Sequence, residues 1–339
     1  MKKLLALSSL SLLFLTGCTV AEPTPASDNP VVEAPIQDDQ NNYEVTEPQE
    51  LVHIGIIQLM DHPALEAARA GFVYSIESQG FNVEWDYQNA QGDQSTLQTI
   101  SQRFVNNNVD LVLAIATPSA QSIANETSTI PIVGTAITSY EVAGLVVSNE
   151  EPGYNVTGAS DMQPIGAQLE LMLYLLDGAT NIGLLYSSNE PNSVLQAGIA
   201  RDYLDSFGIA NETITISNIN DLQQVATALA ERVDAIWIPT DNAIANGMAL
   251  VYQISVDTMT PFFAAEGNMT MTGGIGTLSV DYFSLGQQSG VMAGYILRGE
   301  AEPSTMPIQF AAGFDYIING HMAEQMGIII PERLQAYVQ

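Results

Sequence analysis

From Leu51 onward the chain alternates short apolar runs with stretches in which apolar residues return every three or four positions. That is the pattern of strands alternating with amphipathic helices, and it builds a parallel sheet. The first set predicts strands over 52–58, 82–88, 110–116 and 131–135, with helices over 64–79, 94–107 and 118–127. A second set predicts strands over 181–187, 212–217, 234–238 and 261–265, with helices over 192–206, 220–231 and 242–257.

The two sets are copies of one pattern. "IGIIQLMDHPALEAARAGFVYSIESQGF" (54–81) aligns without a gap with "IGLLYSSNEPNSVLQAGIARDYLDSFGI" (182–209), sharing the opening Ile-Gly, a Pro and the Gly that ends the helix. "DLVLAIATPSA" (110–120) pairs with "DAIWIPTDNA" (234–243) after one deletion. Each copy is large enough to hold a core. The expected fold class is therefore α/β: two similar doubly wound parallel-sheet lobes with a cleft between them. Residues 273–300 and the final segment containing "GFDYIINGHMAEQMGIIIPERL" (313–334) are too short for further domains. They are expected to cross between the lobes as a multi-strand hinge. One lobe is then 51–137 with 280–308, the other 138–279 with 309–339.

The N-terminal residues do not follow this pattern. Residues 1–17 carry Lys2 and Lys3 before an apolar stretch too short to span a bilayer, as in a signal peptide. "LTGC" (15–18) matches the lipobox of bacterial lipoproteins, which makes Cys18 the expected lipid attachment point. Residues 19–50 hold five prolines, eight acids and no basic residue or glycine, a composition that cannot bury enough apolar surface to order itself. The 18–50 segment is expected to be a tether reaching on the order of 100 Å at about 3.1 Å per residue.

Cys18 is the sole cysteine, so the folded body has no disulfide and no thiol nucleophile. Beyond the signal there is no lysine, and six arginines face thirty-eight acids. Such a field repels nucleic acid and suits an external surface at high salt or high pH. Neither a G-x-S-x-G elbow, a Walker loop nor HExxH is present, and no metal or cofactor is implied. Of the histidines, only His62 lies at a strand tip, where it reads as a positioning or surface residue. An enzyme is not expected.

In open parallel sheets ligands bind beyond the carboxyl ends of the strands. Those tips contain Gln58 with Leu59, Thr117 with Ser119, Thr138, Asp161, Asn189 with Asn192 and Ser193, Thr240 with Asp241 and Asn242, and Asp281. No Lys or Arg is among them. A ligand carboxylate would fall to Thr117, Ser119 and the amides of the helix beginning there. Asp161, Asp241 and Asp281 suit a ligand cation, most simply an α-ammonium group, although each also precedes a helix where Asp is a favoured cap. A sugar or nucleoside, or a sensory output, is also compatible with such tips.

"IGIIQLMDHPAL", "DYQNAQGD" (86–93), "DLVLAIATPSAQ", "NVTGASDM" (155–162), "IWIPTDN" (236–242) and "SVDYFSLG" (279–286) together resemble the substrate-binding lipoproteins of ABC importers with the type I periplasmic-binding-protein fold. Within these they are similar to the tryptophan-binding and other aromatic amino-acid-binding members, over about residues 51–335. The resemblance implies a monomeric two-lobed receptor that closes on a free amino acid and delivers it to a membrane permease. It implies Thr117 and Ser119 on the carboxylate and Asp241, with Asp161 or Asp281, on the ammonium. Asn189, Asn192 and Ser193 would line the second lobe, and Gln58 and Leu59 would enclose the side chain. The absence of lysine departs from typical relatives and reads as a surface change.

Overall fold

The computed structural model describes residues 50–339; the expected signal, tether and lipid-bearing Cys18 lie outside the described residues. The chain begins β1 (Leu51–Gln58), α1 (Pro63–Ser78), β2 (Asn82–Asn89), α2 (Gln94–Asn107), β3 (Leu111–Ile115), α3 (Thr117–Glu126), β4 (Ile132–Ile137) and β5 (Val156–Ser160). It continues with α4 (Ile165–Leu175), β6 (Asn181–Ser187), α5 (Pro191–Ser206), β7 (Ala210–Ile216), α6 (Leu222–Ala230), β8 (Ala235–Ile238), α7 (Asn242–Asn246), α8 (Met248–Thr258), β9 (Phe262–Ala264), α9 (Gly267–Gly273) and β10 (Gly276–Ser279). It ends with α10 (Tyr282–Leu297), β11 (Gln309–Phe310), β12 (Asp315–Ile318) and α11 (Gly320–Gln325).

The first sheet runs β2-β1-β3-β4-β5-β11 and the second β7-β6-β8-β9, all neighbours parallel. The internal repeat holds in detail: α1 and α5 each start on a proline, span 16 residues, and are followed by a glycine of positive φ, Gly80 or Gly208. Apolar residues of β1, β3 and β4 are buried on both faces, as expected of parallel strands covered by helices. One core fills the first lobe, while two adjoining clusters fill the second.

The expected lobe boundaries need correction. Residues 156–160, assigned to the second lobe and not foreseen as a strand, pair with β4, and residues 309–310 pair with β5. The segment "VTGAS" gives a weak apolar signal because its surroundings admit only small residues. A Cβ on Gly158 would lie 2.2 Å from the carbonyl oxygen of Gly134, and the Tyr140 hydroxyl donates to Ala159 O. The cores accordingly change over after Ala159, between Leu278 and Val280, and between Ile308 and Ile318. Three chain crossings therefore join the lobes, and β10 with β12 forms an antiparallel pair beside the second and third. The helix expected over 242–257 breaks at Gly247, where a Cβ would meet Leu222 Cδ2 at 2.4 Å.

On re-entering the first lobe, α10 packs against α1 at backbone distance. A Cβ on Gly286 would stand 1.9 Å from Ala68 O, and one on Gly71 2.0 Å from Phe283 O. The helix that follows the hinge is thereby fixed to the lobe it enters. Gly286→Ala should lower the unfolding free energy by roughly 1–3 kcal/mol through overpacking. Gly198→Ala, in α5 with nothing within 4 Å of the added Cβ, should instead stabilise by roughly 0.5–1 kcal/mol. Denaturant unfolding of the two variants checks both.

Candidate binding site

The carboxyl ends of both sheets meet around a small cavity of about 20 Å³, room for about one water molecule. Thr117, Ala136, Thr138, Asp161 and Tyr282 line it, with His62, Ala64 and Leu65 from the loop after β1 and the start of α1. Asn192, Thr240, Asp241, Asn242, Ala245, Glu266 and Met269 complete the wall from the second lobe. A wider groove opens elsewhere on the first lobe, beside Gln121, Asn125, Tyr154 and Glu302. Neither of its acids, Glu126 and Glu302, is buried.

On the first lobe the main feature is an uncapped helix start. Most helices here place a side-chain acceptor over their first amides, but α3 is preceded by Ala116, which has none. Ala116 and Ala136 both hold positive φ, 79° and 54°, at strand tips. For residues with a Cβ this conformation is costly, and it is characteristic of ligand sites. The amides of α3 and the buried Thr117 thus present a partial positive charge to the cavity.

Facing it are carboxylates. Asp241 is 1% exposed; its Oδ2 accepts from the Ser187 amide at 2.6 Å and its Oδ1 from the Ile244 amide at 2.9 Å. It therefore caps α7 and ties that helix to the end of β6 while its side chain lines the cavity. Glu190 accepts from the Asn242 and Ala243 amides. Burial, reinforced by the charge of Glu190, pushes Asp241 up to about 7. Asp161 accepts from the Thr138 hydroxyl at 3.0 Å and the Tyr282 hydroxyl at 2.9 Å. Burial lifts it to about 6 despite these two bonds, with Glu266 adding to the rise. The Thr240 hydroxyl and Asn192 Oδ1 are buried without a partner.

Among the described residues lining the cavity there is no Arg or Lys, and the sole potential cation is His62, whose burial lowers its pKa more than Glu266 raises it. Buried carboxylates held without cations leave a large desolvation cost uncompensated. A cationic ligand group would relieve it.

Seven expected positions reach the cavity: Thr117, Thr138, Asp161, Asn192, Thr240, Asp241 and Asn242. Six do not. Asp281 is exposed and spends its carboxylate capping α10, and Asn189 is exposed with its amide on Ser217 O. Gln58 is turned into the protein toward Met60 O and Glu66, and Leu59 is in the core. Ser119 and Ser193 are fully buried behind the wall, Ser193 donating to Thr240 O. His62, Glu266 and Tyr282 line the cavity without having been foreseen as site residues. At "VDY" the conspicuous Asp faces solvent and the Tyr faces inward, because the cap must sit outside the first helical turn.

The chain belongs to the family described as ABC transporter substrate binding protein, which it matches over residues 53–339. These proteins bind substrates for transporters; they are not enzymes. It is 34% identical over 325 residues to the tyrosine-binding protein of Clostridioides difficile, covering 94% of this chain and 90% of that one. An ABC domain from Streptococcus pneumoniae solved with L-Trp superimposes with a TM-score of 0.83 at 34% identity, covering 86% of this chain and all of the other. A ligand-free, open substrate-binding protein from Clostridium difficile gives 0.68 at 36% identity, over 85% and 98%.

Asp241 and Asp161 are protonated more readily folded than unfolded. Their share of ligand-free stability is therefore present at low pH and lost as pH rises toward about 7 and about 6 respectively. Asp241→Asn keeps a capping acceptor but cannot ionise. Relative to the unmodified protein, this variant should gain stability as pH rises from about 5 to about 8, measured by chemical unfolding of ligand-free protein across that range.

Proposed function

We propose that the chain is the ligand receptor of an ABC importer, that its ligand is a free α-amino acid with an aromatic side chain, and that it hands the closed complex to a permease. The observation carrying this reading is the opposition, across one small cavity, of an uncapped helix start and buried carboxylates that lack a cation. An α-amino acid brings the matching pair of charges. Its carboxylate meets the α3 amides and Thr117, and its ammonium meets Asp241 with Asp161, by charge-assisted hydrogen bonds of about 1.5–3 kcal/mol each. Ala64, Leu65, Ala136 and Met269 leave an apolar wall for the side chain. The names of the relatives, one binding tyrosine and one solved with L-Trp, support an aromatic one.

In this reading the receptor works as a monomer outside the cytoplasmic membrane, on the extracellular or periplasmic side, held by a lipid on Cys18 and a tether over 18–50 after removal of a 1–17 signal. Metabolic labelling with a fatty acid, abolished by Cys18→Ala, tests the anchor. Calorimetry against the common amino acids, with ribose, glucose and uridine as controls, tests the ligand class. An aromatic amino acid should bind, and Asp241→Asn should weaken it by about 10- to 100-fold. Binding of a sugar or nucleoside in place of any amino acid, or unchanged affinity in the variant, overturns the reading.

A further inference from the structure

Behind the cavity wall, Gln196 of α5 reaches from the second lobe to the first. Helical spacing puts Asn192, Ser193 and Gln196 on one face of α5, and all three are buried, Gln196 completely. Its Oε1 accepts from the Thr240 amide at 3.3 Å, which ties α5 to the tip of β8. Its Nε2 faces three acceptors: Asn192 O at 3.3 Å, Thr240 O at 3.4 Å and the Thr138 hydroxyl at 3.4 Å. The first two lie in its own lobe, whereas Thr138 directly follows β4 in the other.

The two carbonyls have other donors. Thr240 O accepts from the Asn192 side chain at 2.9 Å and from Ser193, and Asn192 O belongs to the backbone ladder of α5. The Thr138 hydroxyl gives its one proton to Asp161 Oδ1 at 3.0 Å. Its oxygen is left to accept, and Gln196 supplies the donor. Asp161 takes the Tyr282 hydroxyl on its other oxygen. A buried chain of hydrogen bonds thus links Gln196, Thr138, Asp161 and Tyr282, joining the two lobes at the first crossing and just past the second. At 3.4 Å the Gln196 to Thr138 bond is at the long end of the range, so lobes that part by about an ångström break it and keep the bond to the Thr240 amide.

We propose that Gln196 is a positioning residue that latches the lobes together, bonding Thr138 on closure and so holding the Thr138 proton on Asp161. It acts through Thr138 and is not itself part of the cavity lining. The latch rests on the receptor reading above and deepens it, because it gives the closed state a bond that the ligand does not make. It slows opening, and with it ligand release, while association, which starts from parted lobes, is untouched.

Fluorescence energy transfer between dyes on cysteines introduced at Glu84 and Thr213, exposed positions on β2 and β7, reads lobe separation in the full chain carrying Cys18→Ala. Without added ligand, Gln196→Met, similar in length but unable to donate, should enlarge the open population by about three- to tenfold. Thr138→Val should act likewise and Thr138→Ser, which keeps the hydroxyl, should not. The Gln196→Met, Thr138→Val double variant should open no further than the stronger single one, since both remove the same bond. In stopped flow with L-tryptophan, L-tyrosine and L-phenylalanine, each that binds should leave Gln196→Met about three- to tenfold faster, with association unchanged. An unaltered open population in Gln196→Met, or full additivity of the two substitutions, overturns the latch and leaves the receptor reading standing. Failure of all three amino acids to bind overturns the amino-acid reading alone, since the energy-transfer measurements decide the latch without ligand. Should Gln196→Met not fold, Gln196→Glu, which keeps an acceptor for the Thr240 amide and has no donor, takes its place.

Discussion

Negative charge buried between the lobes without a resident cation is the constraint around which this molecule is arranged. Asp161 and Asp241 are almost wholly removed from water, and the lining offers one neutral imidazole in return. Left to themselves such groups would oppose closure. They are tolerated because each is also a hydrogen-bond acceptor for the frame: Asp241 for the amides of Ser187 and Ile244, Asp161 for the hydroxyls of Thr138 and Tyr282. The same atoms that cap and brace the scaffold therefore set the electrostatics of the site. Capping and binding are two uses of one carboxylate, since each oxygen can accept more than one donor.

The architecture places these groups with little freedom. Parallel strands aim their carboxyl ends at the cavity, and each following helix begins beside it, so caps and ligand contacts compete for the same short stretches. In the first lobe Ala116 leaves the start of α3 open, whereas in the second Asp241 and Glu190 share the start of α7. The start of α3 and the start of α7 thus present opposite charges to one space. The asymmetry suits a ligand with two unlike ends. The close packing of α10 on α1 through Gly286 and Gly71, just after the second hinge crossing, makes the first lobe a rigid wall against which the other can move.

Much of the frame could be read from residues alone. Period and spacing gave the βαβ units, the Ile-Gly, Pro and Gly marks gave the duplication, and the strand-tip rule gave the stretches that surround the cavity. These are local signals: a buried parallel strand must be apolar and a helix start must be capped wherever the chain puts them. What escaped was set by neighbours distant in sequence. β5 went unseen because close approach to β4 leaves space for Gly158 and small residues and so removes the apolar run.

Within the site the division is sharper. Sequence determined that Thr117, Thr138, Thr240 and Asp241 stand at strand ends and that no lysine or arginine accompanies them. Only the tertiary structure decided that Tyr282 faces inward while Asp281 caps from outside, that Gln58 turns away, and that His62 meets Glu266 across the cavity. Spacing along a chain fixes which end of a strand a residue occupies. Which way its side chain points depends on the helix that starts there and on a lobe more than a hundred residues distant, and no local pattern encodes that.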